Sequence, residues 1–186
     1  ATDVLEKPID LKRLKEYVHA GLTFAENTGS DEGTVCHVPP LEAYLSRRPI
    51  KSLLQPIVVI GDGSPPYRLF GVEGLARADE ISPLQDPEIL YAYASHKELL
   101  FETDLQCIAA TLREASRLPG RHKLFINVHP RSLTNPGFAG AVTQLTKSAG
   151  FSTIRVVFEL TEQQTILNSS AFGATIAKLR DAGFGV

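Results

Sequence analysis

From Leu53 onward the chain alternates short apolar runs with amphipathic stretches of helix length, and this alternation restricts its fold more than any other feature. Leu53–Ile60 and Tyr67–Ala76 read as strands on either side of the breaker-rich turn Gly61–Pro66. A short helix is expected within Ser82–His96. A longer one is expected at Glu102–Leu118, where Leu105, Ile108, Ala109 and Leu112 fall at helical spacing. Pro119-Gly120 ends it, and strand Lys123–Val128, helix Phe138–Ala149, strand Thr153–Leu160 and helix Ser170–Ala182 follow. A further helix is expected at Leu41–Arg47. Strands separated by helices of this length argue for a parallel sheet, in a doubly wound fold or a barrel. No Gly-rich phosphate fingerprint follows any strand, which counts against a dinucleotide fold. Polar residues gather at strand C-terminal ends, as in barrels. The expected class is therefore α/β, a partial (β/α)8 TIM-like barrel truncated after about four strands, since a whole one takes typically about 250 residues.

The lead-in reads differently. Val4–Val18 suggests a strand end, a Lys-Pro turn and a helix striped by Leu11, Leu14 and Val18, with Asp10 as its N-cap. Residues 21–40 carry Gly, Ser, Asn, Asp, Glu and a Pro-Pro with little periodicity, and read as a linker. At 186 residues and 43% apolar content, the chain can form one full domain or part of a larger one. A net charge of −2 gives no electrostatic footing for duplex nucleic acid or an anionic membrane surface. No apolar run approaches the roughly 20 residues that span a bilayer, and no signal peptide opens the chain. Cys36 in the linker and Cys107 on a helical stripe sit in unrelated contexts, which suits free thiols in a reduced cytoplasm. Met is absent throughout, so the chain is expected to begin inside a longer protein.

Three strands deliver an oxygen-bearing side chain late in an apolar run: Glu73 after Leu69–Val72, Asn127 after Leu124–Ile126, and Glu159 after Val156–Phe158. Any one of them alone would simply mark where a strand meets solvent. Two carboxylates and an amide converging from adjacent strands make a hard-oxygen site, suited to Mg²⁺ or Mn²⁺ rather than zinc. A bare Glu pair would repel and push one pKa upward, which a cation between them relieves. Glu73, Leu75 and Arg77 alternate onto one face of their strand, a costly arrangement in a core and a sensible one at the mouth of a site.

Read with Gln55-Pro56-Ile57, Asn127 and Glu159-Leu160-Thr161-Glu162, the segment Tyr67–Glu80 resembles the EAL family. These are bacterial cyclic di-GMP phosphodiesterases and their non-catalytic relatives, and the resemblance covers about Ser52–Val186. It implies that residues 41–186 form the N-terminal part of an EAL barrel. It also implies Glu73, Asn127 and Glu159 as metal ligands, and Glu73 and Glu162 as catalytic residues, with Glu162 anchoring an active-site loop. Gln55, Leu75 and Arg77 would contact the nucleotide, and a guanidinium at Arg77 could pair with two phosphate oxygens at once. Val4–Val18 is similar to the last strand, loop and helix of a response-regulator receiver domain, which would tie control to phosphorylation through homodimer contacts.

Two departures from the family pattern are visible. The signature reads Glu73-Gly74-Leu75 rather than Glu-Ala-Leu, and His129 stands where relatives often carry Ser. His129 shares the strand face of Asn127 by alternation, yet reads best as a loop histidine satisfied locally. The family's paired Asp motif, its Lys and its later Glu and Gln would lie beyond Val186, so this chain is expected to carry only part of the machinery. The implied function is metal-dependent hydrolysis of cyclic di-GMP to linear pGpG in bacterial signalling. The alternative is an inactive cyclic di-GMP receptor or regulatory interaction domain.

Overall fold

The fold was obtained as a computed structural model and is described for residues 40–47, 49–63, 65–78, 83–118, 122–160 and 170–186. The Val4–Val18 lead-in, the linker apart from Pro40, Cys36 and Glu162 lie outside the described residues. Helix α1 (Leu41–Ser46) leads into β1 (Ile50–Ile60) and β2 (Tyr67–Ala78). Then come α2 (Pro87–His96), α3 (Leu100–Ala115), β3 (Lys123–Val128), α4 (Phe138–Ser148), β4 (Val156–Leu160) and α5 (Ser170–Asp181). Helix α2 starts where its caps predict: Asp86 accepts the Glu88 N–H at 2.9 Å, and Pro87 opens the first turn. Strand β4 starts three residues later than expected because Thr153–Arg155 winds into a 3-10 turn before it.

The strands form one open sheet in the order β1-β2-β3-β4. Parallel pairing holds for β2, β3 and β4, the strands separated by helices, whereas β1 runs antiparallel to β2. The reason is the length of the connection. Gly61–Pro66 is far shorter than the dozen or so residues a parallel crossover needs, so β1 and β2 close as a hairpin, with the Gly61 N–H on the Pro66 carbonyl at 2.9 Å. Strand β1 is an edge strand, which is where Pro56 can sit without breaking a ladder on both sides. Beyond β4 the parallel order continues: Gly185 bridges Val157, and its N–H donates to the Val156 carbonyl at 2.9 Å. Such a sheet is a partial barrel wall.

Burial follows the strand period of two. On β3, Leu124, Ile126 and Val128 are buried, while Phe125 and Asn127 are half-buried. With Val72, Val156 and Phe158 they face a core completed by Ile108 and Leu112 of α3, Phe138 and Val142 of α4, and Leu179 of α5. Each fully buried aliphatic or aromatic side chain there contributes about 1.5–3 kcal/mol. A second core joins α1 to α2 and α3 through Leu41, Tyr44, Leu90 and Cys107. All helices of the first core cover one face of the sheet. The opposite face presents Glu73, Phe125, Asn127 and Glu159.

Candidate metal centre

Ladder register decides what meets on that open face. Asn127 pairs directly with Glu159 across β3 and β4, while Glu73 pairs with Phe125, one pleat below. The three side chains therefore share a face but not a level: Glu73 sits diagonal to Asn127 rather than at an equivalent strand end. The diagonal is still short enough to close. The Asn127 amide Nδ2 donates to Glu73 Oε1 at 2.7 Å, a hydrogen bond strengthened by the acceptor's charge. Glu159 has its pKa raised, first by burial and then by the negative charge of Glu73. The structure thus brings together all three residues that the sequence singles out as ligands.

The remaining predicted positions fall around this set. Gln55 stands opposite Glu73 in the β1–β2 ladder, so it lies on the same face, with its side chain exposed. Leu75 and Arg77 continue upward along β2 on the Glu73 face, both half-buried. One Arg77 nitrogen, Nη1, donates to the Ala76 carbonyl at 2.8 Å. His129 is satisfied within its own turn: its Nδ1 accepts the Arg131 N–H at 3.2 Å, and burial, then the Arg131 charge, lower its pKa.

The glycine of the signature has a steric cause. A Cβ at Gly74 would overlap Cγ2 of Thr111 and lie 2.8 Å from its Oγ1 and 3.1 Å from its Cβ. Thr111 of α3 is buried, and its hydroxyl donates to Ser52 Oγ of β1 at 2.9 Å. The space that an alanine would fill is already occupied by this threonine, and the departure at Gly74 leaves the Glu73 face untouched.

Sequence reasoning missed a second polar cluster, behind the sheet. Asp104 of α3 is fully buried; its Oδ1 accepts the Tyr91 hydroxyl at 2.5 Å and its Oδ2 accepts the His129 N–H at 3.1 Å. Ser132 lies close enough to favour the charged carboxylate, although its hydroxyl falls short of a formed hydrogen bond. Burial outweighs these donors and pushes the Asp104 carboxyl up to about 7. Its signal was present in the helix period: Asp104, Ile108 and Leu112 repeat every four residues on the buried stripe.

The open-face residues fit a hard divalent cation. The carboxylates of Glu73 and Glu159 lie close enough to gain from a positive charge between them, and a half-turn of the Asn127 amide exchanges its nitrogen for an oxygen donor. Among the described residues no group of three or more His, Cys, Asp or Glu side chains is placed to hold a metal ion. Two carboxylates with an amide suit Mg²⁺ or Mn²⁺, which keep waters and phosphate oxygens in their remaining positions.

Comparison with known proteins agrees with this architecture. The EAL domain family matches residues 41–186, and the chain belongs to that family. A manganese and cyclic di-GMP complex of Klebsiella pneumoniae BlrP1 is 28% identical with a TM-score of 0.60, covering 73% of this chain and 33% of that one. The Xanthomonas citri FimX EAL domain in complex with cyclic di-GMP is 15% identical with a TM-score of 0.61, covering 93% of this chain and 59% of that one. The PaMucR phosphodiesterase in complex with cyclic di-GMP is 19% identical with a TM-score of 0.64, covering 78% and 59%. The last two likenesses speak for the fold. This chain spans about a third of the length of BlrP1. No curated protein matches it. Among the described residues, no helix is long and apolar enough to cross a membrane.

Proposed function

We propose that this chain supplies the metal-binding strands of a cyclic di-GMP phosphodiesterase that opens the cyclic dinucleotide to linear pGpG. The observation that carries the proposal is the convergence of Glu73, Asn127 and Glu159 from three adjacent strands, with the Glu159 pKa raised by burial and then by Glu73. Membership of the EAL family, and a relative in complex with manganese and cyclic di-GMP, support it. Glu73, Asn127 and Glu159 would hold Mg²⁺ or Mn²⁺. Such a bound ion makes a water more acidic and offsets charge building up on the phosphate.

The chain's own residues hold the substrate against that centre. Arg77, two pleats above Glu73 on the same face, donates to the Ala76 carbonyl among the described residues, and its guanidinium fork would turn to phosphate oxygens. Gln55, across the ladder from Glu73, offers an amide to a base edge, and Leu75 between Glu73 and Arg77 gives apolar contact. The resemblance to the family assigns the loop-anchoring role to Glu162, which lies outside the described residues. A cytoplasmic location and control through homodimer contacts belong to the same proposal.

The test incubates the full-length protein with cyclic di-GMP and Mn²⁺ or Mg²⁺, follows pGpG by chromatography, and repeats the run with a chelator. Metal-dependent pGpG, lost in Glu73→Ala, is the expected result. Product formed equally well by Glu73→Ala would refute the ligand assignment. Cyclic di-GMP bound but never cut would make the protein a receptor.

A further inference from the structure

We infer that Asp104 is a positioning residue, whose buried carboxylate clamps the turn after β3 and so holds Asn127 against Glu73. This deepens the metal-centre reading and rests on it for its functional consequence. A carboxylate with no exposed surface, on the buried stripe that α3 shares with Cys107, Ile108 and Leu112, is costly unless its oxygens are used. Here both are used. Oδ2 takes the backbone N–H of His129 at 3.1 Å, the second residue after Asn127, and Oδ1 takes the Tyr91 hydroxyl at 2.5 Å. The Tyr91 ring in turn lies parallel to the His129 imidazole, with centroids 6.0 Å apart and planes 11° apart. Backbone and ring of His129 are thus both fixed from the helix layer.

The turn continues that anchorage. His129 Nδ1 caps the following 3-10 turn, Pro130–Thr134, by accepting the Arg131 N–H, and Ser132 and Leu133 of that turn are buried. Between the clamp and the ligand stands only Val128, itself buried. The exit of β3 therefore cannot twist freely, and the twist at the exit determines where the Asn127 amide points on the opposite face. Outer contacts of this kind hold ligands in register, and removing them typically weakens metal binding about 10–100-fold.

The test uses Asp104→Ala, Asp104→Asn and, as a control destabilised through the other core, Leu41→Ala, each in the full-length protein. Two quantities are read: the amide hydrogen-exchange profile by NMR, and Mn²⁺ affinity by titration calorimetry. Asp104→Ala should speed exchange most at His129 and its neighbours and raise the Mn²⁺ Kd about tenfold. Asp104→Asn keeps a carbonyl acceptor for the His129 N–H and should restore both toward wild type. Leu41→Ala should speed exchange broadly without singling out His129 and leave the Mn²⁺ Kd unchanged. Unaltered exchange at His129 in Asp104→Ala, or altered exchange with an unaltered Mn²⁺ Kd, overturns the inference. If the wild type binds no Mn²⁺, the metal reading fails, and the His129 exchange profile then decides the clamp alone. If Asp104→Ala does not fold, Tyr91→Phe removes one donor to the same carboxylate and must speed exchange at His129; no change there overturns the clamp.

Discussion

Replacing Gly74 by alanine restores the signature that relatives carry, yet in this chain it should destabilise the fold. The added Cβ would stand well inside 3.0 Å of Thr111 Cγ2, where ordinary contact begins at 3.4 Å. Rotating Thr111 gives little relief, because its Oγ1 and Cβ already stand 2.8 and 3.1 Å from the same point. Rotation would also take the hydroxyl off Ser52, a buried partner at 2.9 Å. Overpacking of this kind costs about 1–3 kcal/mol, and the smaller backbone entropy of alanine returns roughly 0.5–1, leaving a net loss centred on ~1 kcal/mol and at most ~2.5 kcal/mol. At this chain length that is a drop in Tm of roughly 2–4 °C per kcal/mol. Thr111→Ala alone leaves Ser52 without its donor and should cost about 1–3 kcal/mol. In the double variant the methyl introduced at position 74 occupies space that Cγ2 and Oγ1 have vacated and meets only the Cβ of residue 111 at 3.1 Å, so most of the cost of Gly74→Ala is relieved. A urea-unfolding cycle over the four proteins measures this coupling, expected at about 1 kcal/mol or more in favour of the pair. A single Gly74→Ala variant as stable as wild type, or a double variant whose losses merely add, would refute the steric reasoning.

Other expectations follow from the electrostatics. Glu73→Gln removes the charge that, after burial, raises Glu159; the Glu159 carboxyl, followed by carbon-13 NMR against pH, should then titrate lower than in wild type without metal. For the same reason, Mn²⁺ affinity of the wild type should weaken as pH falls through the raised Glu159 pKa, because protonation removes a ligand; a pH-independent Kd would count against Glu159 as one. Asp104, pushed to about 7 from an ordinary 3.8, binds its proton more tightly folded than unfolded. Its contribution is therefore fully present below the unfolded value and is lost as pH rises from about 4 to about 7, by an amount on the order of a few kcal/mol. Asp104→Asn should flatten that part of the stability–pH curve, although Tyr91, Cys107, His129 and Ser132 all face the group; a curve unchanged by the substitution would refute the assignment.

The open-face site was legible because strands expose every second residue: Glu73, Leu75 and Arg77 had to share a side, and Asn127 and Glu159 had to end buried runs. Relative height was not, since register depends on how strands slide past one another, and Glu73 proved to lie one pleat below Asn127. Gly74 and Thr111 lie 37 positions apart, so nothing local in either explains the other until α3 packs on β2. Asp104 is not legible from strand ends, because its signal lies in the buried stripe of a helix. The direction of β1 is the most instructive feature. A parallel β1 would bring its far end, near Ile60, level with the mouth of the site; the short Gly61–Pro66 turn reverses it and sets Gln55, from the middle of the strand, opposite Glu73. The same reversal places Leu53 beside Leu75 and Lys51 beside Arg77. A polar side chain in mid-strand, next to a proline that only an edge strand accommodates, is thus what an antiparallel first strand requires if it is to contribute to a site formed by its parallel neighbours.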